Sequence, residues 1–382
     1  MAFFWQYTEQ KNDLSVYIHI PFCKRRCLYC DFVSTTDKRL ITPYLIALEK
    51  DIKADSYLPE MRVRTVYFGG GTPSFVKEDI IENIFEWIVE EAGSVLTTEA
   101  TIELNPESTT RKKAKRYISI GFTRASLGIQ AFDDEVLELS GRPHGTKEAE
   151  KAAAILREEF ENLNADFIIG LPGMTMKTVE KNLKFIERHQ PDHVSVYTLE
   201  FHEEAPLSKL LLRKSLRLPA PDEVNVMFEE MMRGLHDMGY KRYEISNFAK
   251  EKKESQHNLA YWKNKNYLGF GVSAGGHVGN HRYVKTKNIM EYLKDPTKME
   301  YESFNDDCQE MKETLFMGLR LMEGVSINEM LEKFGRMFKK FFDEVKELDF
   351  FEVKGGRLKL NEKGLRNLEK SFELIVGLKC HA

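Results

Sequence analysis

The 382-residue chain predicts an α/β fold: a partial (β/α)6 TIM-like barrel over residues 1–220, a barrel extension over 221–307, and a winged-helix-like α+β domain over 308–382. Three observations carry this. Short β-branched and aromatic runs alternate with amphipathic stretches through the first two hundred residues, the pattern of parallel strands joined by right-handed crossovers. The repeat occurs six times, which suits a partial barrel better than a closed eight-unit one, although periodicity alone leaves an open doubly wound sheet as the alternative. From about Cys308 the alternation stops, and helices followed by a small hairpin take over.

In chain order the strands are Val16–Ile20, Thr65–Phe68, Thr101–Leu104, Arg124–Gly128, Asp166–Ile169 and His193–Leu199. Between them apolar residues recur at helical spacing over Pro43–Tyr57, Glu78–Glu91, Thr109–Ile120, Thr146–Glu159 and Met176–Arg188. Glu223–Met238 is a Met-rich amphipathic helix suited to core packing. Lys250–Ser255 is a charged breaker, and the run HNLAYWKNKNYLGFGVSAGGH follows it. The last domain reads as helices Met311–Met322, Ile327–Lys333 and Met337–Leu348, then two short strands around Gly355–Gly356.

Charge excludes several classes. The chain has 56 Lys+Arg against 60 Asp+Glu, a net charge of −4, which argues against general binding to nucleic acid or a membrane surface. Between Met311 and Gly377 there are 13 basic and 12 acidic residues, so the winged-helix-like module lacks the basic stripe of a DNA reader and is expected to pack rather than to read DNA. No apolar run reaches the length of about 18 residues that a membrane span needs, and the N-terminus MAFFWQYTEQKND has no signal-peptide pattern. Five cysteines without an export signal do not form a disulfide framework. The expected compartment is the cytoplasm.

Three of the five cysteines, Cys23, Cys27 and Cys30, fall within eight residues in a loop after the first strand. Three thiolates there can hold a metal or an iron–sulfur cluster. Structural zinc takes four protein ligands, and no fourth Cys or His follows at a suitable spacing. Three cysteines satisfy three irons of a 4Fe–4S cube and leave the fourth open to an outside ligand. Phe22, Tyr29 and Phe32 are placed to shield such a cluster, and Lys24, Arg25 and Arg26 to offset its charge. The run Gly69-Gly70-Gly71-Thr72-Pro73 ends the second strand, where glycines allow close backbone approach to a ligand or simply make a tight turn. It lacks the lysine of a nucleoside-triphosphate loop.

Polar residues sit at successive strand ends, where parallel barrels place their sites: Glu103 and Asn105, Gln130, and Asp166, with Arg142 following in LSGRPHG. For a ligand with an amino-acid end and a ribose, the carboxylates suit amine or hydroxyls, and Arg142 suits a carboxylate held by two hydrogen bonds.

The run Tyr17-Ile-His-Ile-Pro-Phe-Cys23-x3-Cys27-x2-Cys30, with GGGTP, ELNPES, SLGIQAF, SGRPH, DFIIGLPGMT and HNLAYW, resembles the radical S-adenosylmethionine superfamily over nearly the whole chain. More narrowly it resembles the branch of oxygen-independent coproporphyrinogen III dehydrogenases and HemW-type haem chaperones. The resemblance implies that Cys23, Cys27 and Cys30 ligate a 4Fe–4S cluster whose open iron is chelated by the methionine end of S-adenosyl-L-methionine. It implies that Gly70, Gly71 and Thr72 contact the methionine amine, and that Tyr17, Tyr29, Glu103, Gln130, Arg142 and Asp166 contact the rest of that cofactor. It also implies one-electron cleavage of the sulfonium to a 5′-deoxyadenosyl radical.

Two departures point away from the dehydrogenases. Their motif continues with a further cysteine where this chain has Cys30-Asp31-Phe32, and they carry a longer segment before the cluster than the 22 residues that precede Cys23. The chaperone branch implies a third ligand, haem, which needs an axial ligand and aromatic surface. His257 is the candidate axial ligand, with Tyr261 and Trp262 beside it; His277 and His281 are weaker candidates, and His19 is expected to support the cluster loop. Cys308 and Cys380 are bystanders, although Cys380-His381 has the chemistry to react with haem. The expected function is a haem carrier that hands haem to an acceptor protein, with cluster and cofactor governing folding, dimerisation or transfer, and a homodimer among the assemblies allowed. The rival is radical decarboxylation of coproporphyrinogen III propionates; a zinc-stabilised DNA binder is a distant third.

Overall fold

The computed structural model describes residues 12–200, 205–212 and 216–377. The six expected strands form: β1 (Asp13–Ile20), β2 (Arg62–Gly70), β3 (Ser94–Leu104), β4 (Arg124–Gln130), β5 (Asn162–Ile169) and β6 (His193–Thr198). The crossovers carry α1 (Ile41–Lys53), α2 (Glu78–Glu91), α3 (Arg111–Ile120), α4 (Asp134–Leu139), α5 (Thr146–Glu159) and α6 (Met176–His189). The short α4, capped by the Asp133 carboxylate, is an addition to the expected set. Helix α2 shows why these segments are helical: Ile81, Ile84 and Ile88 make one buried stripe, and Glu78 and Asp79 sit in its first turn, where the helix dipole favours negative charge.

Strands β1 to β6 are parallel and in sequential order. Alternation along them sorts residues into two faces. Val16, Ile18, Val66, Phe68, Ile102, Ala125, Leu127, Val194 and Val196 join the hydrophobic cluster with the helices. The alternate residues are polar and bond one another across strands, as in Thr65 to Ser15 at 2.8 Å, Tyr67 to Glu103 at 2.9 Å and Ser126 to Asp166 at 2.9 Å. The concave face is therefore a hydrogen-bonded lining rather than a greasy plug.

Residues 205–307 contribute more to this sheet than the sequence pattern indicates. After α7 (Pro206–Leu212) and α8 (Pro221–Asp237) come β7 (Lys241–Arg242), β8 (Asn247–Ala249), α9 (Gln256–Trp262), β9 (Tyr267–Phe270), β10 (Gly275–Val278), β11 (His281–Lys285), α10 (Ile289–Lys294) and β12 (Met299–Phe304). Strand β9 adds in parallel beside β1, and β10, β11 and β12 extend that edge as an antiparallel meander. At the other edge β8 and β7 pair antiparallel beyond β6. One twelve-stranded sheet results, in the order β12-β11-β10-β9-β1-β2-β3-β4-β5-β6-β8-β7.

The C-terminal unit has its own apolar cluster around Leu315, Phe338, Phe341 and Leu358. It comprises α11 (Asp307–Gly318), β13 (Val325–Ser326), α12 (Ile327–Val345), β14 (Phe351–Lys354), β15 (Arg357–Leu360), α13 (Glu362–Arg366) and α14 (Leu368–Val376), with a sheet ordered β13-β15-β14. Two expectations are corrected here. Helix α11 stops at Gly318 instead of Met322, because Leu321 bridges to Glu244 and the Met322 amide donates to the Tyr243 carbonyl, bonds that a continued helix would not allow. Helices α13 and α14 follow the hairpin, where none was expected. The expected break between Lys333 and Met337 survives as a kink at Gly335, whose φ of 52° and ψ of −126° only glycine adopts readily. No helix among the described residues is long and apolar enough to cross a membrane.

Candidate functional site

The C-terminal ends of β1 to β6 surround a cavity of about 440 Å³. Its wall includes Cys23, Cys27 and Cys30 from the loop after β1, Gly70, Gly71 and Thr72 after β2, Glu103 and Asn105 from β3 and its end, Gln130 from β4, Asp166 from β5, and Arg142. The structure thus gathers on one cavity every residue expected at the cofactor site except Tyr17. That ring stacks behind Tyr67 at 6.2 Å between centroids, and its hydroxyl lies 3.1 Å from His19 Nδ1.

Glycine geometry explains how close the thiols come. A Cβ on Gly71 would lie 2.8 Å from the Pro21 carbonyl carbon and 2.9 Å from Cys23 Sγ. Gly70 has a φ of +109°, and a Cβ there would strike the His19 ring at 2.7 Å. His19 supports the cysteine loop as expected, because its Nε2 bonds the Val33 carbonyl at 2.8 Å. Burial holds that ring near a pKa of about 4, so it is neutral; Nε2 carries the hydrogen and Nδ1 accepts from Tyr17.

The thiols meet donors. Thr72 Oγ1 donates to Cys23 Sγ at 3.6 Å, and Arg142 Nη1 to Cys27 Sγ at 3.4 Å. Burial pushes the Cys30 thiol up to about 12 and raises that of Cys23, so burial favours their protonated forms. Among the described residues no three Cys, His, Asp or Glu groups converge as they would on a single ion. Ligands of one tetrahedral zinc stand roughly 3.8 Å apart, given Zn–S bonds of about 2.3 Å. Three thiols on one wall, a glycine cradle and a buried guanidinium fit a negatively charged 4Fe–4S cube, whose ligands bind separate irons.

Several placements differ from expectation. Arg142 does not hold its fork free for a carboxylate: Nη2 donates to Asn105 Oδ1 at 2.8 Å and to the Gly128 carbonyl at 2.9 Å, while Nη1 faces Cys27 and the Tyr29 hydroxyl. Phe22 does not line the cavity; it is buried edge-on against Tyr44. Tyr29 and Phe32 do line it, and Phe32 is 60% exposed at the rim beside Arg25 and Arg26. His257 is 1% exposed, with Nδ1 2.8 Å from Thr65 Oγ1 and Nε2 2.8 Å from the Tyr261 hydroxyl, so neither ring nitrogen faces an open surface. His277 is buried beside Glu310, and His281 bonds Glu302 and Tyr57. Cys308 lies in the first turn of α11, and Cys380 and His381 lie outside the described residues.

Glu103 is the electrostatic centre of the inner wall. Burial and the neighbouring Asp166 charge raise it to about 7, against the Tyr67 hydroxyl at 2.9 Å and the Gly70 amide at 3.2 Å, which favour its ionised form. Gln130 ends β4 at a φ of 67°, a conformation costly for a non-glycine residue and met at ligand sites. Sequence reasoning missed Tyr67, Ser126 and Tyr197 as lining residues. The signal was present as a polar residue at every second position of strands otherwise made of core residues.

Residues 17–186 match the family model for the radical S-adenosylmethionine superfamily, and 306–367 that for the HemN C-terminal domain. A solved structure of Escherichia coli described as coproporphyrinogen III oxidase (HemN), a radical S-adenosylmethionine enzyme, superposes with a TM-score of 0.81 at 20% identity, covering 98% of this chain and 93% of that one. A relative from Bacillus subtilis named Heme chaperone HemW is 34% identical, covering 87% of this chain and 89% of its own. The chain belongs to the HemW family. A second HemW, from Lactococcus lactis, is 34% identical over 94% of each chain. As a radical S-adenosylmethionine protein, this HemW-family chain has a 4Fe–4S cluster and S-adenosylmethionine as its cofactors.

Proposed function

We propose that this HemW-family chain is a haem chaperone of the cytoplasm, which binds haem and passes it to an acceptor protein. One observation carries the reading: 34% identity along 89% of a relative named Heme chaperone HemW, against 20% identity to the oxidase whose fold it shares. Cys23, Cys27 and Cys30 hold the cluster. Gly70, Gly71, Thr72 and Glu103 receive the methionine end of S-adenosylmethionine, and Tyr29, Gln130, Arg142 and Asp166 complete its pocket, with Tyr17 bracing it from behind. Bound there, S-adenosylmethionine supplies a sulfonium for one-electron cleavage; the chain's own residues orient it and keep water out.

The cavity is of a size for one cofactor-sized ligand. Haem therefore sits at its rim, where Phe32 offers an apolar face and Arg25 and Arg26 face the propionates. Residues 1–220 make the cofactor domain, 221–307 its extension and 308–382 the packing module, and a homodimer is the assembly in which acceptor contact is sought.

The test is a haem titration of anaerobically reconstituted protein, followed by the Soret band, beside a turnover assay with coproporphyrinogen III, S-adenosylmethionine and a reductant. A stoichiometric Soret band, weakened several-fold by Phe32→Ala, and no porphyrinogen product support the carrier. Formation of protoporphyrinogen IX would overturn it in favour of the enzyme.

A further inference from the structure

We infer that His257, the first residue of the HNLAYW run, is a positioning residue for the S-adenosylmethionine pocket: it braces Tyr67 from one layer deeper on the concave face and thereby fixes Glu103. The inference rests on the superfamily's cofactor and not on the haem reading.

The register of β1 and β2 puts Ser15 opposite Thr65, Tyr17 opposite Tyr67 and His19 opposite Gly69. These are successive layers of the concave face, each about 7 Å above the last. Tyr67 lines the cavity, whereas Thr65, one layer deeper, does not. His257 lies at that deeper layer. Its Nδ1 is 2.8 Å from Thr65 Oγ1, and its ring is tilted 32° against the Tyr67 ring at 5.1 Å between centroids. The Tyr67 hydroxyl then donates to Glu103 at 2.9 Å. One side-chain column thus runs from α9 through His257 and Tyr67 to the carboxylate on the cavity wall.

Both nitrogens of the ring are committed. Thr65 donates its hydroxyl to Ser15, so it accepts from Nδ1–H, and the lone pair on Nε2 accepts from Tyr261. That lone pair is what a haem iron would need. The backbone is fixed as well: Glu99 accepts from the amides of Gln256 and His257 and from the Ser255 hydroxyl, at 3.0–3.2 Å. This anchors the start of α9 to β3. An axial ligand would need a free nitrogen and room for a porphyrin plane, and His257 has neither.

The test combines two binding measurements on cluster-loaded protein. By equilibrium dialysis, His257→Ala is expected to weaken S-adenosylmethionine binding about 5- to 20-fold, and His257→Gln, which restores partners for Thr65 and Tyr261, to recover much of it. In a Tyr67→Phe background, where the column is already cut, His257→Ala is expected to add less than twofold, the non-additivity of a shared path. In haem titration the Soret position and affinity of His257→Ala are expected to match the parent. A lost or shifted Soret band with unchanged S-adenosylmethionine affinity would overturn the inference, and so would simple additivity with Tyr67→Phe. If His257→Ala fails to fold, Tyr261→Phe removes only the hydroxyl on Nε2. A measurable weakening of S-adenosylmethionine binding in that variant supports the brace, and an unchanged affinity overturns it.

Discussion

Arg142 Nη1 lies 3.4 Å from Cys27 Sγ across 115 residues of chain, while its Nη2 is tied to Asn105 and to the Gly128 carbonyl. At 8% exposure Arg142 is a fixed positive charge behind Cys27, one of the three proposed cluster ligands. Arg142→Lys keeps the charge and loses the fork. The variant is expected to fold but to retain at most half the iron after anaerobic reconstitution and desalting. Arg142→Ala also leaves buried acceptors unpaired, at about 1–3 kcal/mol each, which urea unfolding reads.

Glu103 gives the pocket a pH dependence. Its carboxyl is raised from 4.5 to about 7, so between those values the folded state binds the proton that the unfolded state has released. The stability contributed by this group is therefore greatest below 4.5, falls as pH rises towards 7 and is flat above. In the proposed pocket Glu103 accepts hydrogen bonds from the methionine end, which only its carboxylate form can do without giving up an acceptor oxygen to its own proton. The affinity of the cluster-loaded protein for S-adenosylmethionine is expected to rise up to about tenfold from pH 6 to pH 8, and Glu103→Gln to flatten that profile in a dialysis series.

Gly71 tests the close approach. Its missing Cβ would meet Pro21 backbone at 2.8 Å as well as Cys23 Sγ, and backbone gives way poorly. Gly71→Ala is expected to displace the cysteine loop, abolish cluster retention and cost about 1–3 kcal/mol. Iron content and thermal unfolding of the variant check both parts.

Asp51 and Lys285 form a buried pair that fastens α1 to β11, with the Tyr292 hydroxyl at 2.8 Å and the Gly271 amide at 3.0 Å on the second carboxylate oxygen. Removing one partner strands the other charge. Asp51→Ala is expected to lose about 3–5 kcal/mol, and Asp51→Leu combined with Lys285→Met much less, because the double change leaves no unpaired ion. Urea unfolding of the two variants distinguishes these outcomes.

Much of the site was legible in the sequence because its pieces are short and local. The three cysteines, the glycine run and the polar residues at strand ends each declare themselves within a few neighbours, and period alone placed six strands and their helices. Other features depend on strand register, which no local pattern encodes. The edge strands β7 to β12 are short and interrupted by turns, so their membership of one sheet appears only when β9 is seen beside β1. The inward column of Tyr67, Ser126 and Tyr197 is assembled from three strands.

The amino-acid order by itself determined the fold class, the three-cysteine loop and most of the residues that line the cavity, since these rest on periodicity and on spacing within single loops. Only the tertiary structure decided what Arg142 and His257 face. Their partners Cys27 and Thr65 stand 115 and 192 residues away. A histidine beside aromatic residues reads alike as an iron ligand or as a core brace until burial and hydrogen bonds show whether its lone pair is free; at His257 it is spent on Tyr261.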